Sequence, residues 1–282
     1  MYSESLSKNP SNKRSLKEEI AFQKLRYKYL SAIIQVANQW LYSKKEAATG
    51  LEYISNRVPL EFHKDFKFGY FPSNMSLIYD FMDDLVKVLP QENPKNILEM
   101  TGVVEFKKYK PKLFYYNNPL LFPYYNAYNE PISIVGRTLH SEKDMKELNI
   151  VKYKNLPFHR NFHLYGLNLT RNNIIQKDYV IIIEGQVDMI SSYVAGIDNC
   201  VALCGSKVGL NHILLLKRFT KNFWMFLDND EAGEKGWKDI QTKSSKYDIN
   251  VNRIIYPDQY KDPDQFVKSP EFSLRKLLKQ AK

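Results

Sequence analysis

Apolar positions in the amino-terminal part of the chain recur at helical spacing. Between Lys13 and Tyr42, residues Leu16, Ile20, Leu25, Tyr29, Ile33, Val36, Ala37, Trp40 and Leu41 follow this rhythm, with lysines and glutamates between them. That predicts one long helix whose role is packing. Ala47 to Arg57 predicts a shorter helix, and Ser76 to Leu89 another, ended by Pro90 and Pro94. Gln91 to Asn96 reads as a linker. The pattern then changes to short apolar runs. Leu120 to Tyr125, a turn at Asn126 to Glu130, and Ile132 to Leu139 predict a β-hairpin. Tyr179 to Ile183 is continuously apolar, as in a parallel strand buried on both faces. It stops at Glu184-Gly185, and Gln186 to Ala195 predicts a helix with Val187, Ile190, Ser191 and Val194 inward and Gly196 as its stop. Val201 to Leu203, Phe223 to Leu227 and Val251 to Ile255 are further strands, with crossover helices at Leu210 to Phe219 and Glu231 to Lys246. Pro270 to Lys282 ends the chain as a short basic helix. The expected fold is α/β: a parallel sheet with flanking helices over residues 178–265, a mixed α+β region over 1–177 before it, and a helical tail over 266–282.

The chain has 282 residues and a formal charge of +10, which suits a polyanionic partner. Between Thr101 and Lys177 stand twelve Lys/Arg against five Asp/Glu, so the positive charge gathers just ahead of the parallel sheet. The same region holds Tyr109, Phe114, Tyr115, Tyr116, Phe122, Tyr124, Tyr125 and Tyr128. Most of these are expected in the hairpin core, with one or two left to stack on bases. No apolar run reaches membrane-spanning length, and Met1 to Arg14 reads as a frayed polar terminus rather than a signal peptide, so a cytoplasmic setting is expected. Cys200 and Cys204 read as buried free thiols, and no His/Cys spacing suggests zinc.

Three strand ends carry acids. Glu184 and Asp188 follow the first, Asp228, Asn229 and Asp230 another, and Asp262-Pro263-Asp264 lies beyond the last. Each alone reads as a solvated turn. Together at one sheet edge they would repel one another unless a divalent cation sat among them, and Mg²⁺ accepts a few carboxylates while keeping waters for substrate phosphates.

Glu184-Gly-x-x-Asp188, Asp228-x-Asp230-x-Ala-Gly233 and Asp262-Pro-Asp264 together resemble the TOPRIM domain, and more closely its bacterial (DnaG-type) primase form. Weaker matches precede them: Tyr53-Ile-x-x-Arg57, Gly69-Tyr70-x-Pro72, Phe122-Pro123, Gly136-Arg137, Lys152-Tyr-x-Asn155 and Leu164-Tyr-Gly-Leu167. The resemblance implies a Rossmann-like TOPRIM sheet and RNA primer synthesis on single-stranded DNA from ribonucleoside triphosphates. It implies Mg²⁺ or Mn²⁺ at Glu184, Asp228, Asp230, Asp262 and Asp264, with Glu184, Asp188, Asp228 and Asp230 as the catalytic set. Arg57, Arg137, Lys152, Arg160 and Lys207 would hold template and nucleotide. Arg160 stands where the family has lysine, exchanging a compact ammonium for a planar fork. The family's zinc-binding and helicase-binding segments have no counterpart in this sequence. A replicative helicase or a separate zinc-binding recruitment protein is therefore an expected partner, as in a compact phage or plasmid system. The rival readings are a TOPRIM nuclease or topoisomerase fragment and a non-catalytic single-strand-binding accessory protein. The hairpin and Lys152 to Leu167 phrases favour primase.

Overall fold

The computed structural model describes residues 15–108, 111–205 and 207–280. The expectations for Met1 to Arg14, for Tyr109 and for the last two residues of the tail lie outside the described residues.

The long helix α1 (Leu16–Ser43) starts at a capping box, in which Ser15 accepts from the Glu18 N–H and the Glu18 carboxylate accepts from Ser15. Its packing stripe is Tyr29, Leu30, Ile33, Val36, Ala37, Trp40 and Leu41. Leu16, Ile20 and Leu25 are exposed, so the buried stripe begins further along α1 than the spacing predicts. Next come α2 (Ala48–Ser55), α3 (Leu60–Phe66), the short strand β1 (Gly69–Tyr70) and α4 (Met75–Val88). The expected linker is half helical. Asn93 caps α5 (Pro94–Thr101) by accepting from the Lys95 N–H at 2.9 Å, with Pro94 in the first turn, where a missing N–H costs nothing.

A two-stranded ribbon, β2 (Val104–Glu105) with β3 (Lys112–Leu113), leads to the hairpin β4 (Leu120–Tyr125) and β5 (Pro131–Arg137). Helix α6 (Glu142–Glu147) and strand β6 (Tyr153–Asn155) follow. These strands make an antiparallel sheet in the order β1-β4-β5-β6, with α1 packed across it. Tyr115, Phe122 and Tyr124 are buried here, whereas Tyr116 and Tyr128 are exposed.

Helix α7 (Leu167–Lys177) opens the second sheet, formed by β7 (Val180–Ile183), β8 (Cys200–Ala202), β9 (Asn222–Phe226) and β10 (Asn250–Arg253). Helices α8 (Gln186–Val194), α9 (Leu210–Leu216) and α10 (Glu231–Tyr247) connect these strands, and α11 (Pro263–Val267) and α12 (Leu274–Gln280) complete the chain. All pairs are parallel and the order is β10-β9-β7-β8, the expected Rossmann-like sheet. Strand β8 leaves for the edge, so β7, β9 and β10 stand side by side and their carboxyl ends share one rim. Helix α8 presents Met189, Ile190, Ser191 and Ser192 to the core; Val187 and Val194 are only partly covered, so the inner face is rotated from the expected one.

The two sheets share a core in which Tyr70, Phe122 and Val135 join Ile181, Met189 and Phe226. A backbone seam also links them. Tyr165 N–H donates to the Ala202 carbonyl and Ala202 N–H to the Tyr165 carbonyl, each at 2.9 Å. Among the described residues no helix is long and apolar enough to cross a membrane.

Candidate metal centre and its basic surround

Each acid is placed by a local backbone device. Glu184 follows β7 directly, and Asp188 lies in the first turn of α8. A β-carbon at Gly185 would sit 2.1 Å from Asp188 Oδ2, so glycine lets this carboxylate fold back over the turn. Asp230 caps α10, its Oδ1 accepting the Gly233 N–H at 2.9 Å. A β-carbon at Gly233 would meet the Asp228 carbonyl at 2.1 Å, so glycine brings the helix hard against the strand end. Asp262 caps α11 through the Gln265 N–H at 2.9 Å. Asn229 ties the two acidic loops together, donating through its N–H to the Lys261 carbonyl at 2.8 Å and through Nδ2 to the Tyr260 carbonyl at 2.9 Å.

The acids share one electrostatic field. Burial, followed by the charges of Glu184, Asp262 and Asp230, pushes the Asp228 carboxyl up to about 7. Asp188 also rises to about 7, through burial and then Asp228, Asp262 and Asp264. Glu184 is raised by burial, with Asp230 and Asp188 adding to it. Glu184 Oε1 and Asp228 Oδ1 are buried with no hydrogen-bond partner. Among the described residues no three such side chains stand grouped closely enough to hold a metal ion. Even so, the donors are all carboxylate, two of their oxygens are unpaired, and the Lys261 charge offsets only part of the repulsion at Asp228. That chemistry fits a hard divalent cation. Asp264 differs from the rest. It accepts from the Ser191 hydroxyl and pairs with Lys268 at 2.5 Å, joining α8 to α11.

The cations fall into two groups. Arg57 and Arg137 lie against the Tyr53 ring, their guanidinium carbons 3.8 and 4.5 Å from its centre. Arg137 also donates to the Tyr153 hydroxyl at 2.7 Å, and its Nε is buried and unpaired. This platform adjoins the acids: Asp188 acts on the Tyr153 phenol, which burial above all raises to about 12. Lys152 is exposed beside it, its Nζ 5.9 Å from the Tyr153 ring centre. The second group follows β8. Arg160 donates from Nη1 to the Cys204 carbonyl at 2.6 Å, and Lys207 is exposed on the same loop. Cys200 and Cys204 are free thiols, both with raised pKa from burial, Cys204 to about 12. Tyr153, Ser191, Asn229 and His212 escaped the sequence reading as site residues; of these only Tyr153 carried a signal, inside the Lys-Tyr-x-Asn phrase.

A four-stranded parallel sheet with carboxylates at its switch point, joined to a basic antiparallel domain, defines a Toprim-type catalytic core. Residues 37–171 match the family described as "DNA primase catalytic core, N-terminal domain", and residues 181–267 match the family described as "Toprim-like". The DNA primase of Aquifex aeolicus is 27% identical over 266 residues, covering 93% of this chain and 50% of its own length. That of Legionella pneumophila is 28% identical over 265 residues, 90% of this chain and 43% of its own. The crystal structure of the Aquifex primase zinc-binding and RNA polymerase domains superposes with a TM-score of 0.75 at 25% identity, over 95% of this chain and 63% of that one. A DnaG primase catalytic domain bound to ssDNA shares the fold, with a TM-score of 0.72 at 22% identity, over 89% of this chain and 77% of that one. The chain belongs to the DnaG-type primase catalytic cores, and it spans about half the length of the relatives it matches.

Proposed function

We propose that the chain synthesises short RNA primers on single-stranded DNA by nucleotidyl transfer. The observation that carries this reading is the shared field of Glu184, Asp188, Asp228, Asp230 and Asp262 at three adjacent strand ends, beside a platform of stacked arginines. Asp228 and Asp230, with Glu184, would hold a divalent cation, Mg²⁺ or Mn²⁺, which when bound supplies positive charge to substrate phosphate. Glu184 is either a further ligand of that cation or the base that takes the proton of the attacking ribose 3′-hydroxyl. Asp188 and Asp262 complete a second ion position or orient its waters. Asp264, engaged by Ser191 and Lys268, supports Asp262 through α11. Arg57, Arg137 and Lys152 grip template phosphates, and Arg160 with Lys207 the nucleotide triphosphate, by charge rather than base identity. Ribonucleoside triphosphates and a single-stranded template are thus the substrates, with a replicative helicase or a zinc-binding recruitment protein as the partner that directs start sites. The core divides near residue 178 into a template-binding domain and a catalytic one.

The test incubates the protein with circular single-stranded DNA, ribonucleoside triphosphates and Mg²⁺. Short RNA that disappears with Asp228→Asn supports the proposal. Shortened DNA would mean a nuclease, and no product of either kind a binding protein.

A further inference from the structure

Arg160 is exposed, yet its place is set from two sides. Its guanidinium donates to the Cys204 carbonyl at 2.6 Å and makes no ion pair among the described residues. Its own carbonyl receives the His163 N–H at 3.0 Å within the turn and lies 3.3 Å from His212 Nε2, which reaches it from α9. A carbonyl only accepts, so Nε2 must carry the imidazole proton. Nδ1 is then an acceptor, which is the role it has toward the Gly209 N–H at 3.3 Å. One buried, neutral ring thus closes the first turn of α9 with one nitrogen and grips the arginine turn with the other.

We propose that His212 is a positioning residue for Arg160. It clamps the turn that carries Arg160 onto the loop after β8, so that an arriving phosphate meets a guanidinium already in place. The inference rests on the phosphate role proposed above for Arg160. A purely structural histidine would need only the cap on α9, and nothing in that role would tie it to substrate affinity.

Three variants separate the two functions. H212Q offers an acceptor to Gly209 and a donor to Arg160. H212E keeps the acceptor at the third helical position, where glutamate commonly caps, but has no proton for the Arg160 carbonyl. H212N is too short to span both and serves as the second test should H212E not fold. With a mixed-sequence single-stranded oligonucleotide and ribonucleoside triphosphates, H212E is expected to raise the nucleotide KM or the oligonucleotide Kd about 3- to 10-fold, the worth of one hydrogen bond. kcat and melting temperature should stay near those of the parent, and H212Q should restore binding. H212E should add nothing to R160A, because its effect on binding passes through the guanidinium that R160A removes. A defect in H212E that adds fully to that of R160A overturns the clamp, as does H212E binding like the parent while R160A is impaired. If R160A itself binds and primes normally, the phosphate role of Arg160 falls, and the clamp with it.

Discussion

Replacing Asp228 by Asn should make the metal-free protein more stable at pH 8 while abolishing primer synthesis. In the fold this carboxyl titrates near pH 7, because burial and then Glu184, Asp262 and Asp230 oppose its charge, whereas its ordinary value is 3.8. Its contribution to stability is therefore complete below pH 4 and is lost as pH rises through about 7. At 1.36 kcal/mol per pH unit, that difference corresponds to about 4 kcal/mol. Asp228 is only partly buried, and halving for solvent screening leaves about 2 kcal/mol. An asparagine keeps the shape and carries no charge, so the gain appears at pH 8 and vanishes near pH 4. For a chain of this size the rise in melting temperature is about 5 °C. The assay is thermal unfolding followed by circular dichroism in EDTA, repeated with millimolar Mg²⁺. Mg²⁺ should raise the melting temperature of the parent protein, since an ion that binds only the folded state stabilises it, and raise that of the variant much less. If Asp228→Asn melts at or below the parent at pH 8 in EDTA, the acids do not repel one another and the metal centre loses its physical basis.

Gly233→Ala should lower both stability and priming, because its β-carbon would meet the Asp228 carbonyl at 2.1 Å; a loss of about 1–3 kcal/mol in denaturant titration is expected. Arg137→Lys keeps the charge but not the flat contact with Tyr53 or the bond to Tyr153, so oligonucleotide affinity by fluorescence anisotropy should fall several-fold with an unchanged salt slope. Arg137→Ala should reduce that slope by about 1. Ser191→Ala removes the hydroxyl that Asp264 accepts from, costing about 1 kcal/mol in unfolding measurements and shifting the Mg²⁺ dependence of priming upward.

The parallel sheet was legible because β7, β8 and most of β9 are buried on both faces, and Val180 to Ile183 has no polar residue to confuse the period; the edge strand β10 is largely uncovered. The hairpin was legible from its turn, and the acidic rim from strand ends that repeat one chemistry. The short helices were harder to read. Helix α3 buries only His63 and Phe66 and leaves Leu60 exposed, so it has almost no stripe. Helix α7 is largely polar and buries just Leu167, Thr170 and Ile174. At the site, residue types announced the acids but not their spatial partners. Nothing in one dimension places Ser191 against Asp264, or His212 against Arg160, because those contacts arise only when separate elements pack.

The paired backbone bonds between Tyr165 and Ala202 bear on how firmly the two halves are joined. They stitch the outer strand of the acidic sheet to the segment leading out of the arginine-bearing domain. A jaw-like opening of one half from the other would have to rip that seam, together with the aromatic and aliphatic side chains packed behind it. The acids of one half and the arginines of the other are therefore held at a set spacing by the backbone itself, independently of whatever binds between them.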